Sequence, residues 1–273
     1  MDKVIITDDQ IVPFNAVAPN LYGLRIAFVN VFAVTHPDCT WTLIDAAIPF
    51  SASRIRHWAR ERFSTAPRAI ILTHGHFDHV SAAGELAKEW DIPIYAHPLE
   101  FPYLTGEKQY PAPKPGVGGG LMSLLSPLYP RGPHNFTDRL QPLPTNSAGL
   151  AFVELPGWQV LHTPGHTPGH VSFFRAKDGT LIVGDAFCTT KPESFFEAAL
   201  TQKPELHGPP AYFTSDWAAA RASVRKLASL NPLTVAPGHG KPLSGSEVPA
   251  KLRQLAADFD RIALPESQKS TAA

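Results

Sequence analysis

Four apolar runs in this chain stop at turns flanked by glycine or proline, and each of those turns carries histidine or carboxylate donors. The densest follows Ala69-Ile70-Ile71-Leu72 and reads Thr73-His74-Gly75-His76-Phe77-Asp78-His79. The others are Thr163-Pro164-Gly165-His166, Gly184-Asp185 and Pro237-Gly238-His239-Gly240. In extended backbone, side chains two apart point the same way, so His74 and His76 can converge on one point as the strand runs out. Asp78 and His79 then open a helix, because Val80, Ala83, Leu86, Ala87 and Trp90 repeat at helical spacing. A helix cap beside solvated loop histidines would also place an aspartate here. It gives no reason for three imidazoles and a carboxylate within six residues, whereas neutral imidazole is the commonest metal ligand.

Strands are expected in one or two pieces over 24–34, at 41–45, 92–96, 171–174, 180–183 and 233–236, with a hairpin formed by 151–155 and 158–162 across Pro156-Gly157. Helices are expected over 51–63, 192–200, 215–230 and 247–262. Asp45 ends its strand as either a helix-approach cap or a partner behind a metal ligand. The stretch 98–144 is rich in Pro and Gly but carries Phe101, Tyr103, Tyr110, Tyr129 and Phe136. Its aromatics favour a functional lid over a disordered linker, which is depleted in them. The expected organisation is one domain over 1–263 with this lid-like insertion, followed by a disordered tail over 264–273.

Charge excludes some partners. Lys plus Arg and Asp plus Glu both total 24, so no bulk charge attracts nucleic acid or an anionic membrane. No apolar stretch is long enough to span a bilayer, and Met1-Asp2-Lys3-Val4-Ile5 has no leader pattern, so a cytoplasmic protein is expected. Cys39 and Cys188 are too few for a disulfide framework and read as buried thiols. Seven oxygen and nitrogen donors without thiolate suit one or two ions such as zinc, manganese or iron.

Together these residues resemble the metallo-β-lactamase superfamily, over about 45–240. The resemblance rests on His74-x-His76-x-Asp78-His79 with the downstream Gly-His-Thr, Gly-Asp and Gly-His elements, and on Asp45 in Leu43-Ile44-Asp45-Ala46. It implies an α+β fold, the four-layer αββα sandwich, with metals at one edge. It also implies two divalent ions, zinc first with manganese or iron as alternatives. His74, His76 and His166 would hold one ion and Asp78, His79 and His239 the other, with Asp185 bridging and Asp45 supporting from behind. The aspartate at 185 is nearer to the glyoxalase II and lactonase branch than to the β-lactamases proper.

The function this implies is hydrolysis of a small ester, lactone or thioester by a metal-bridging hydroxide, with Asp78 moving the proton. Tyr103, Tyr110, Tyr129, His207, Tyr212 and Phe213 are the candidates for contact with a small-molecule substrate. A mononuclear iron oxygenase resembling the persulfide dioxygenases, a small-phosphodiester hydrolase and a scaffold with structural metals are the alternatives. The oligomeric state stays open, a homodimer included.

Overall fold

The computed structural model describes residues 4–144, 152–194, 196, 201 and 204–266. The chain enters through the short strand β1 (Val4–Ile5) and then forms the hairpin β2 (Leu21–Ile26) and β3 (Val29–Thr35). The apolar run 24–34 breaks into two strands at Ala27, whose φ of 55° turns the backbone. β4 (Trp41–Ile44), α1 (Ala52–Arg60) and β5 (Ile70–Ile71) follow, and then the donor-rich loop enters α2 (Phe77–Val80) and α3 (Ala83–Trp90). β6 (Ile94–Ala96), α4 (Phe101–Leu104), α5 (Leu121–Leu125) and β7 (Leu140–Pro142) complete the first half. The second half runs β8 (Gln159–His162), β9 (Val171–Arg175), β10 (Thr180–Gly184), β11 (Glu205–Leu206), α6 (Trp217–Ser229), β12 (Thr234–Pro237), β13 (Leu243–Ser244), α7 (Val248–Ala257) and α8 (Phe259–Ile262).

Two mixed sheets result, in the orders β2-β3-β4-β5-β6-β7 and β13-β12-β10-β9-β8. Strands covered on both faces need apolar side chains at both parities, and β3 supplies them. Val29, Val31 and Ala33 pack outward with Ile55 and Trp58 of α1 and Leu86 of α3. Phe32 and Val34 point inward and meet Phe173 and Ile182 of the other sheet. On the far side, Leu181, Val183 and Val235 pack with Val224 and Leu227 of α6 and Leu252 of α7. The four layers are therefore helix, sheet, sheet, helix. Each fully buried aliphatic side chain here is worth about 1.5–3 kcal/mol, and together they hold the strand ends in place. Among the described residues no helix is long and apolar enough to cross a membrane.

Several expectations shift. Residues 152–155 form a turn rather than a strand, Ala151 lies outside the described residues, and β8 pairs antiparallel with β9 across the His166 loop instead. The segment 98–144 ends in β7, which pairs parallel with β6 and so belongs to the sheet. The expected helix 192–200 falls mostly outside the described residues. Of the expected tail, Leu264 is buried, and residues 267–273 lie outside the described residues. Cys188 is buried, but Cys39 is exposed, because it sits in the β3–β4 turn with φ 64°.

A candidate metal centre at four strand ends

The loops after β5, β8, β10 and β12 meet at one edge of the sandwich and bring all seven predicted donors together. The potential ligand atoms of His74, His76 and His166 lie within 4.8 Å of one another, as do those of Asp78, His79 and His239. A third group, His74, His79 and Asp185, meets the same limit and joins the first two. Asp185 Oδ2 lies 3.5 Å from His166 Nε2 and 3.1 Å from His239 Nε2, one imidazole from each set. All seven side chains are buried.

Partners behind the imidazoles fix which nitrogen faces inward. Asp45 accepts the Thr73 N–H and the Thr73 hydroxyl, both at 2.8 Å, and also the His79 Nδ1–H at 2.8 Å. Its φ of 62° turns the chain out of β4 and leaves the carboxylate under His79. Because the Thr73 hydroxyl donates to Asp45, its oxygen accepts from His74 Nδ1 at 3.0 Å. The Thr214 hydroxyl donates to the Pro210 carbonyl and in the same way accepts from His166 Nδ1 at 3.2 Å. His239 Nδ1–H donates to the Phe28 carbonyl at 2.8 Å. Outer partners of this kind set the tautomer and orientation of a metal-binding imidazole. They leave His74 Nε2, His79 Nε2 and Asp185 Oδ1 buried without a hydrogen-bond partner. Buried polar atoms without partners cost free energy, and lone pairs converging this way fit cations.

The electrostatics divide in the same way. Burial pushes His74 and His76 well below the ordinary imidazole range and His166 down to about 4, so these three are neutral. Burial also acts on His79, but Asp185, Asp45 and Asp78 outweigh it and hold His79 well above that range. The Asp185 carboxyl, despite burial, is drawn well below its usual range by His239 and His79. Burial raises Asp78.

Beside the first set, a cavity of about 350 Å³ has His76 and His166 in its lining, with walls from Tyr103, Tyr110, Tyr212 and Phe213. Phe213 lies against His76, ring centroids 4.6 Å apart. Two expected contacts are not among the lining residues. Tyr129 sits behind, against Phe77 with centroids 5.4 Å apart, and its hydroxyl donates to Met122 Sδ at 3.3 Å. His207 exchanges main-chain hydrogen bonds with Cys188, which turns its ring toward Glu193 at 3.9 Å and into a different cavity of about 250 Å³.

Sequence reasoning missed several residues of the site. His170 directly precedes the strand expected at 171–174 and was not among the predicted donors. It lies buried between loops, with Nδ1 donating to the Thr163 carbonyl at 3.1 Å and Nε2 accepting the Asp185 N–H at 2.8 Å. Both nitrogens are used in the neutral tautomer, and burial lowers its pKa to about 3. The repeated Thr-Pro-Gly-His of 163–170 was its one signal. Asn30 Nδ2 donates to the Pro237 carbonyl at 2.9 Å and the Gly240 carbonyl at 2.7 Å, and so pins the His239 loop. Glu100 had no signal at all. It is buried beside the first set, with its carboxylate on the main chain of two of the donor loops.

A family model described as the metallo-beta-lactamase superfamily matches residues 25–239. The probable metallo-hydrolase YflN of Bacillus subtilis is 42% identical over 249 residues, which is 90% of this chain and 93% of that protein. Among solved structures, the B3 metallo-beta-lactamase BLEG-1 is 26% identical at a TM-score of 0.59, covering 83% of this chain and 95% of its own. TTHA1623 in a di-iron-bound form is 27% identical at a TM-score of 0.55, covering 82% and 94%.

Proposed function

The chain belongs to the metallo-β-lactamase superfamily, and on that premise we propose that it is a metal-dependent hydrolase of a small ester, lactone or thioester. The observation that carries the proposal is the convergence of His74 Nε2, His79 Nε2 and Asp185 Oδ1, buried and without hydrogen bonds, beside a cavity with His76 and His166 in its lining. His74, His76 and His166 would hold one divalent ion, Asp78, His79 and His239 a second, and Asp185 would touch both. Bound there, such ions make water more acidic and polarise a scissile carbonyl oxygen.

The chain's own groups do the rest. Asp78 Oδ2 faces His239 Nε2 at 3.4 Å, which leaves Oδ1 to take the proton of the attacking water and return it to the leaving group. The aromatic walls exclude water and give an apolar substituent of the substrate a face to stack on. The Tyr212 and Phe213 rings are tilted by 59° to one another, so the wall they form is angled rather than flat and suits a small or branched group. The aromatic rings dominate the walls, with Lys114, Thr167, Thr214 and Ser215 as further polar groups at the lining, and a cavity of about 350 Å³ supports a compact substrate. Zinc is the proposed ion, with the di-iron form of TTHA1623 keeping iron as the alternative.

The test is a panel of chromogenic esters, lactones, thioesters, β-lactams and phosphodiesters, run on protein loaded separately with zinc, manganese and iron. The proposal expects turnover of an acyl substrate that requires metal. One iron per chain with oxygen consumption and no hydrolysis would replace it with an oxygenase, and cleavage of phosphodiesters alone would reassign the substrate class.

A further inference from the structure

Glu100 is fully buried in the turn that leads into α4, and its carboxylate is spent on three donors. Oε2 accepts the Gly75 N–H at 2.9 Å and the Tyr110 hydroxyl; Oε1 accepts the Gly169 N–H at 2.6 Å. Gly75 sits between His74 and His76. Gly169 lies on the loop that begins at His166 and ends at His170. The Tyr110 hydroxyl is also within 3.1 Å of the Gly75 N–H, and the Tyr110 ring is a wall of the cavity beside His76, centroids 4.5 Å apart.

We propose that Glu100 is a positioning residue: it ties the His74–His76 loop, the His166–His170 loop and the Tyr110 wall into one unit and so builds the three-histidine metal position. This rests on the metal-dependent reading above.

Three arguments support it. The first is the approach it has to enforce. His76 Nδ1 and His166 Nε2 come from the two different loops and lie 2.9 Å apart. Without an ion, His76 Nδ1–H can donate to His166 Nε2; when an ion binds, both nitrogens must offer lone pairs and that hydrogen bond is given up. Glu100 bonds the main chain of both loops and keeps them together through that exchange. The second is chemical. All three partners donate, so only a group that accepts at both oxygens satisfies them; a glutamine amide would turn its N–H against an N–H or O–H. Charge-assisted bonds to a buried carboxylate are also the strong ones. The third is space. A Cβ at Gly75 would stand 2.5 Å from the Tyr110 hydroxyl, and one at Gly169 would stand 2.7 Å from Glu100 Cγ. Glycine at both places is what lets the carboxylate reach the backbone.

The experiment titrates metal-stripped protein with Co²⁺ against a competing chelator and reads cobalt per chain and its visible absorption. Wild type, Glu100→Gln, Glu100→Asp and Tyr110→Phe are compared, with circular dichroism and melting curves reporting the fold. Partners behind metal ligands typically govern affinity by about 10- to 100-fold. Folded Glu100→Gln is expected to lose that much affinity at one position and to keep the other within about threefold, so that at limiting free cobalt it holds one ion where wild type holds two. Glu100→Asp, too short to reach both loops, should show a smaller loss of the same ion. Tyr110→Phe leaves both main-chain bonds in place and should lose less than about tenfold.

Wild-type affinity at both positions in folded Glu100→Gln would overturn the assignment. If Glu100→Gln does not fold, unchanged affinity at both positions in Glu100→Asp and Tyr110→Phe would overturn it equally. Failure of the metal-dependent reading looks different, because wild type itself would then bind no cobalt.

Discussion

The two halves of the metal centre are supported from opposite directions. Behind Asp78, His79 and His239 stand parts of the six-stranded sheet. Asp45 at the end of β4 holds His79 at 2.8 Å, the Phe28 carbonyl in the β2–β3 turn holds His239 at 2.8 Å, and Asn30 pins the His239 loop. Behind His74, His76 and His166 stand two hydroxyls, Thr73 and Thr214, and the buried Glu100 from the segment between β6 and β7. The same segment gives the cavity Tyr103 and Tyr110. One half is therefore an extension of the sandwich, and the other is an extension of the pocket. The lesson is that a change in the pocket-forming segment should reach the first half and spare the second.

The largest expected effect removes the distinction. Asp185→Ala deletes the one carboxylate within 3.5 Å of an imidazole from each half, so both should lose metal together. Acyl turnover should fall by more than about a hundredfold, the upper end of what loss of an outer partner costs. Metal per chain measured by elemental analysis checks it; a variant that still holds two ions would show that Asp185 is not shared.

Next in size is Asp45→Ala, which tests the sheet side directly through His79 and reaches His74 only through Thr73. It strands three buried donors: the His79 Nδ1–H, the Thr73 N–H and the Thr73 hydroxyl, the last of which also stands behind His74. Affinity at the Asp78, His79 and His239 position should fall about 10- to 100-fold, and stability by about 1–3 kcal/mol per stranded group. The same cobalt titration reads the first, a denaturant melt the second. Smaller again is Phe213→Ala, on the pocket side. Losing the ring over His76 should raise KM roughly two- to tenfold with kcat nearly unchanged and both ions retained, since an aromatic contact is worth about 0.5–1.5 kcal/mol.

The two halves were also unequally legible in the sequence. Five of the seven donors lie in short Gly- or Pro-flanked loops at strand ends, and Asp78 and His79 open the helix that follows one of them, where strand periodicity stops and the residue type stands out. Asp45 was visible for the same reason, because it is the polar residue that ends Trp41-Thr42-Leu43-Ile44. Asn30 is one polar residue inside the apolar run 24–34; its use depends on the His239 loop arriving from 207 residues away. Glu100 and Tyr110 were out of reach as a pair. A carboxylate that bonds main-chain N–H groups leaves no spacing pattern, because its partners are peptide groups that every residue has. The sandwich was readable where strands are buried on both faces, as in β3, β9 and β10. It was misread at 152–155, where an apolar composition forms a turn. β7 was missed because three residues with two exposed carry no alternation.

The smallest effect concerns protonation at the root of the pocket segment. His97 precedes the turn that delivers Glu100, and its Nδ1 accepts the Leu99 N–H at 3.1 Å. Burial, reinforced by the His162 ring stacked 4.3 Å away, lowers its pKa to about 4. The folded pKa lies below the ordinary 6.5, so the unfolded chain binds the proton first as pH falls. The contribution of His97 to stability is therefore complete above pH 6.5 and is lost as pH drops from there toward 4. His97→Asn keeps a capping acceptor but does not titrate. Melting curves of metal-free protein should then show a constant difference between wild type and variant above pH 6.5. Below it the wild type should lose ground by about 2–4 °C, the shift that about 1 kcal/mol produces in a chain of this size. Because the proton lands three residues from Glu100, the same pH interval should loosen the three-histidine position before the other. If wild type and His97→Asn lose stability in parallel down to pH 4, the proton goes elsewhere, and the pocket segment is not the acid-sensitive support of that half.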